Sequence, residues 1–110
     1  TKKILSIFQP HLFSRTKDFY KDFAISLNES DKNIILPIYP AREKPIKNIT
    51  SQLILEELNK LGHNNSHYWD TNEIYKNIKN IVEDDMVIIT MGAGDIYKSI
   101  EKIYLIINDK

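Results

Sequence analysis

Met86-Val87-Ile88-Ile89-Thr90-Met91-Gly92-Ala93-Gly94-Asp95-Ile96 is the stretch from which the fold can be read. Its first six residues are almost unbroken in apolar character. A strand half-exposed to water alternates, whereas one covered on both faces reads as a continuous run. Gly92, Ala93, Gly94 and Asp95 then end the run. Glycine permits positive φ and close backbone approach, and aspartate caps a helix start. Ile96, Ile100, Ile103 and Ile107 follow at helical spacing. The unit is therefore strand, tight turn, helix.

The same unit repeats upstream. The run at 4–8 stops at Gln9-Pro10, because a residue before proline is pushed to extended geometry. A helix follows, with Ser14 expected as N-cap and Phe19, Phe23, Ala24 and Leu27 as its apolar stripe. A second run covers 34–39, and Pro37 within it points to an edge position or an early end of pairing. After a charged loop at 40–48, a helix from Thr50 is expected to bury Ile54, Leu58 and Leu61 and to stop at Gly62. The third run, His67-Tyr68-Trp69, is short. Asp70 or Thr71 then caps a helix carrying Ile74, Ile78, Ile81 and Val82, and Glu73 stands at capping-box spacing from Asp70. Strand–helix repetition with short turns implies α/β architecture: an open, mostly parallel sheet with flanking helices, Rossmann-like in the loose sense. Residues 1–110 are read as a single domain.

Composition narrows the function classes. The chain holds 15 Lys+Arg against 15 Asp+Glu, which argues against nucleic acid or an anionic membrane surface as the partner. No apolar run reaches the roughly 20 residues of a bilayer span. The absence of cysteine fits a cytoplasmic location. The start, Thr1-Lys2-Lys3, lacks an initiator Met and leads at once into a strand, which reads as a piece of a longer protein. The 3 glycines, Gly62, Gly92 and Gly94, cannot make a P-loop, so ATP phosphates would be gripped elsewhere. His63 and His67 have no evident third ligand, so no metal site is expected.

In open α/β sheets, ligands bind beyond the carboxyl ends of the strands. Those ends are Gln9-Pro10-His11, the 39–43 loop, Trp69-Asp70-Thr71 and the Gly92 turn. At the first of them, Arg15 sits at a helix start. There a basic side chain can act with free backbone N–H groups to hold a carboxylate or phosphate. His11 beside it can donate a hydrogen bond or carry a proton near neutral pH. Taken alone, Arg42-Glu43-Lys44 reads as a solvated loop and Gly92 to Asp95 as a tight turn with a cap.

Taken in order, these turns resemble the Mur ligases. Phe8-Gln9-Pro10-His11-Leu12-Phe13-Ser14-Arg15-Thr16 resembles the FQPHxxSRT segment of the UDP-N-acetylmuramate:L-alanine ligases. Tyr39-Pro40-Ala41-Arg42-Glu43-Lys44-Pro45-Ile46 resembles that family's tyrosine-alanine-glutamate-proline loop, with Thr50-Ser51 following. Met91-Gly92-Ala93-Gly94-Asp95-Ile96 matches its terminal GAGDI.

The resemblance implies the C-terminal domain of a three-domain enzyme of peptidoglycan biosynthesis. Its N-terminal domain would bind UDP-N-acetylmuramate, and its central domain would bind ATP and Mg2+. The reaction it implies is phosphorylation of a carboxylate by ATP, then attack by the amine of L-alanine on the acyl phosphate. The C-terminal domain would close over the ATP site and help position the amino acid; by itself it would be inactive. By the same resemblance the substrate-binding candidates are His11, Arg15, Tyr39, Ala41, Glu43, Gly92, Ala93, Gly94 and Asp95. Two departures stand out. Leu12 occupies the place where many relatives carry a second arginine, and the family's histidine-rich upstream motif is not in the chain. The alternatives are another Mur-type ligase, such as one that reattaches recycled peptides, and a free-standing small-ligand-binding α/β module.

Overall fold

A computed structural model describes residues 2–92 and 96–109. Ala93, Gly94 and Asp95 of the expected glycine turn lie outside these described residues. Eight elements alternate along the chain: β1 (Lys3–Gln9), α1 (Phe13–Leu27), β2 (Lys32–Ile35), α2 (Gln52–Lys60), β3 (Ser66–Tyr68), α3 (Thr71–Ile81), β4 (Met86–Gly92) and α4 (Ile96–Asn108). The strands form one sheet in the order β3-β2-β1-β4, and every pairing is parallel. The expected α/β fold with a parallel sheet and flanking helices is the observed one.

The continuous apolar runs of the inner strands are explained by a core on each face. Ile34 and Ile35 are adjacent in sequence and fully buried on opposite sides of the sheet. Ile35 joins Ala24, Leu27, Ile54 and Leu58 beneath α1 and α2. Ile34 joins Leu5, Ile7, Ile74, Ile78 and Ile103 beneath α3 and α4. Burying an isoleucine or leucine contributes about 1.5–3 kcal/mol, so this two-sided burial is the main source of stability. The chain steps β1 to β2 to β3 with its helices on one face. It returns from β3 to β4 with α3 on the other, as a constant crossover handedness requires.

Local signals decide several element ends. Asp70 and Glu73 form the expected capping box: the Glu73 N–H donates to the Asp70 carboxylate (2.8 Å), and the Asp70 N–H donates to the Glu73 carboxylate (3.1 Å). Gly62, at φ 88°, ends α2 in a Schellman turn, with its own N–H on Asn59 O and the His63 N–H on Leu58 O.

Other expectations are corrected. The second ladder ends at Ile35, because Pro37 has no N–H to continue it. Beyond it only a single parallel bridge joins His11 to Tyr39. Phe19 and Leu61 are 47% and 49% exposed, so neither belongs to the core. The Phe19 ring meets that of Phe23 with centroids 6.4 Å apart, and Leu61 is the C-cap of α2. β4 is an edge strand whose residues alternate in burial, so its apolar run is not covered on both faces.

Candidate functional site

The order β3-β2-β1-β4 places the topological switch between β1 and β4. The chain leaves β1 toward β2 on one side and comes back to β4 on the other. In open parallel sheets that divergence opens a crevice beyond the strand ends. Here the divergence lies between the carboxyl ends of β1 at Gln9 and β4 at Gly92, and these two residues are register partners. Gly92 has φ 127°, and a Cβ on it would stand 2.3 Å from the carbonyl oxygen of Gln9. Only glycine lets the two strand ends approach this closely.

The turn after β1 is held from the side by the loop after β2. The Tyr39 N–H donates to Pro10 O (2.8 Å), and the Leu12 N–H donates to Tyr39 O (2.9 Å). The His11 and Tyr39 rings stack with centroids 6.0 Å apart. Leu12, not Ser14, is the N-cap of α1. Its backbone is at φ 70°, a conformation a branched side chain adopts only when its surroundings impose it. The Tyr39 bond imposes it from one side. From the other, Leu12 O accepts both the N–H and the hydroxyl of Thr16.

With no capping side chain at Leu12, the α1 terminus takes its carboxylate from a distance. One oxygen of Glu43 accepts the Ser14 N–H (3.0 Å) and the other accepts the Ser14 hydroxyl (2.5 Å). A helix N-terminus favours negative charge. The Ser14 hydroxyl holds the Glu43 carboxyl below its ordinary pKa, assisted by the Ser14 and Phe13 N–H groups and by His11, and opposed by partial desolvation. Glu43 is therefore a clasp between α1 and the β2–α2 loop and not part of a freely solvated loop.

The described ones among the predicted residues gather on one edge, with different roles in the geometry. His11 and Tyr39 are half-buried and stacked, and Glu43 clasps α1. Ala41 is exposed at φ 54° in the same loop. Arg15 is exposed on the first turn of α1, with no hydrogen bond or ion pair among the described residues. Ala93, Gly94 and Asp95 fall outside the described residues. Sequence reading missed Gln9 as the backbone neighbour of Gly92, and it missed the Ser14–Glu43 clasp, which spans 29 positions and has no local signature. His63 is engaged away from this edge. Its Nε2–H donates to Ser30 O (2.6 Å), since a carbonyl can only accept, and Nδ1 faces the Ser66 hydroxyl (2.9 Å).

Comparison with known proteins now bears on this edge. No family model matches the chain. It is 46% identical over 102 residues to a UDP-N-acetylmuramate–L-alanine ligase of Christiangramia forsetii, covering 93% of this chain and 22% of that protein. It is 44% identical over 109 residues to the ligase of the same name from Flavobacterium psychrophilum, covering 99% and 23%. The ligase of that name from Streptomyces avermitilis is 42% identical over 94 residues, covering 86% and 20%. The chain belongs to the Mur ligase family. It spans about a fifth of the length of the curated relatives it matches.

Within this Mur ligase domain the Glu43 clasp carries a pH dependence. The folded pKa is lowered, so the contact's contribution is present above the unfolded glutamate pKa and is lost as pH falls through the folded value. Protection of the Ser14 amide, relative to its intrinsic exchange rate at each pH, is expected at neutral pH and to be lost only below the ordinary carboxylate range. Glu43→Ala is expected to remove that protection at neutral pH as well. Identical Ser14 exchange in the variant and the parent would show that the clasp does not hold α1.

Among the described residues no helix is long and apolar enough to cross a membrane.

Proposed function

We propose that residues 1–110 are the C-terminal domain of a three-domain, ATP-dependent UDP-N-acetylmuramate:L-alanine ligase acting in the cytoplasm. Its partners would be UDP-N-acetylmuramate, L-alanine, ATP and the other two domains of its own chain. The observation that carries the reading is the switch-point edge. His11 and Arg15 follow β1, and Gly92 ends the neighbouring β4, on the sheet edge where α/β folds receive ligands. The identity of 41% to 46% to ligases of that name, over nearly all of this chain, supports the same reading.

The domain's own part is positioning and charge neutralisation. Glu43 already takes the Ser14 N–H and hydroxyl, so the α1 terminus does not offer these groups to an incoming anion. The guanidinium of Arg15 is the group left to pair with a carboxylate or phosphoryl oxygen, and it does so through two parallel N–H donors. His11, braced by Tyr39, orients the same ligand by hydrogen bonding. Gly92 supplies a bare backbone wall without a side chain.

The residues of this domain do not fit the role of principal ATP and Mg2+ holder. Among the described residues no group of three or more His, Asp or Glu side chains can hold a metal ion. The 3 glycines are not in P-loop spacing. Nucleotide and metal would sit mainly on the central domain, with this one closing over them.

Amino-acid-dependent ADP release by the full-length protein tests the reading. Release should be fastest with L-alanine and slower with glycine and L-serine. Release that ignores the amino acid but requires a peptide would reassign the chain to a recycled-peptide ligase, and no release with any acceptor would remove the ligase reading.

A further inference from the structure

The Ser14–Glu43 clasp fixes a negative charge next to the residue that precedes Arg15. The Glu43 backbone is held by a turn, with its N–H on Pro40 O (2.9 Å). The side chain is held at its other end, where Ser14 engages both carboxylate oxygens. The position of this charge is therefore set, and its lowered pKa keeps it ionised at neutral pH. Arg15 follows Ser14 on the first turn of α1 and makes no ion pair among the described residues, so Glu43 does not neutralise the guanidinium.

This arrangement treats ligand charges unequally. A free amino acid with a neutral side chain brings one carboxylate and one ammonium. Arg15 suits the first, and the fixed charge of Glu43 favours the second. A further carboxylate on the ligand's side chain finds no such match. The donors an anion would seek at the α1 terminus, the Ser14 N–H and hydroxyl and the Phe13 N–H, already face Glu43. Glu43 itself repels it. Arg42 and Lys44 flank Glu43, and Lys17 lies two residues past Arg15. All three are exposed and make no hydrogen bond or ion pair among the described residues. Their heads stay hydrated and screened, so they offset a fixed charge only in part.

We propose that Glu43 is a specificity-determining residue that keeps acidic amino acids out of the acceptor site beside Arg15. It takes no part in bond making. It lowers the affinity for the wrong acceptor through an unfavourable charge, a route to specificity that needs no new contact with the right one. The inference rests on the reading of this edge as the amino-acid site of a ligase.

L-Aspartate and L-asparagine have nearly the same shape and differ in charge, so they are the probes. Each is measured as an inhibitor of L-alanine-dependent ADP release by the full-length protein. L-Asparagine should inhibit the parent more strongly than L-aspartate. Glu43→Gln keeps an acceptor for Ser14 but removes the charge, and should shrink that preference by about fivefold. The two inhibition constants are compared within one variant, so a general loss of folding or turnover cancels. Added salt should shrink the preference in the parent and leave it unchanged in Glu43→Gln, which a purely structural clasp would not produce. Glu56→Gln, on the exposed side of α2, removes a charge elsewhere and should keep the parent's preference. An unchanged preference in Glu43→Gln overturns the proposal. So does an equal change in Glu56→Gln, or a failure of both probes to compete in parent and variant alike. Any of these with alanine-dependent release intact removes the role of Glu43 alone. ADP release that ignores the amino acid removes the ligase assignment beneath it.

Discussion

Gly92→Ala is expected to be the more destabilising of the alanine substitutions at the two described glycines, at roughly 3–5 kcal/mol. Left-handed backbone costs an L-residue about 1–2 kcal/mol. The rest comes from the Cβ itself, which would stand 2.3 Å from Gln9 O and 3.1 Å from Gln9 N and C. Those are backbone atoms of the adjacent strand, so no side-chain rotation relieves the contact. The carboxyl ends of β1 and β4 would have to separate. Gly62→Ala is the matched control. Its φ is 88°, but nothing lies within 4 Å of the added carbon, so only the backbone term of about 1–2 kcal/mol remains. Denaturant unfolding of both variants measures the difference. Equal losses would mean that the β1–β4 approach at Gly92 is not tight. Because a domain's whole stability is about 5–15 kcal/mol, the alanine at 92 is also expected to lower the yield of folded protein.

Arg15→Ala carries the largest expected effect on activity. Arg15 is exposed and has no partner among the described residues, so removing it should change stability by no more than about 0.5 kcal/mol. If its guanidinium neutralises charge that develops on the reacting group, turnover of the full-length enzyme should fall by about 10²–10³. The observable is therefore a split: a thermal midpoint close to the parent's and a kcat far below it. Arg15→Lys should recover only part of the rate, because an ammonium keeps the charge but not the two parallel donors. Parent-like turnover in Arg15→Ala would take this residue out of the site. A matched loss of stability and turnover would make it structural.

Much of this could be read along the chain. The repeated strand–helix units, the Asp70–Glu73 box and the Gly62 stop are local patterns, set by interactions within a few residues, and they appear in the structure where the pattern puts them. The candidate edge was also legible, because parallel strands send all their carboxyl-end turns to one side. Ser14 shows where local reading gives way. A serine near a helix start reads as its cap, yet the cap position falls to Leu12 and the Ser14 hydroxyl turns to Glu43. No local rule links residues 29 positions apart. Val87 and Ile89 show the same limit: an apolar run reports the cover a strand calls for, not whether that cover is present in the same 110 residues.

From composition and periodicity alone follow the α/β class, the element order and the set of turns able to meet a ligand. These depend on backbone propensity and on which side chains avoid water, and both act locally. The tertiary structure alone decided that β4 lies beside β1, that Gly92 therefore abuts Gln9, and that a distant glutamate caps α1. Those outcomes depend on the order in which strands pair, which is chosen by crossover handedness and by packing between elements far apart in the chain.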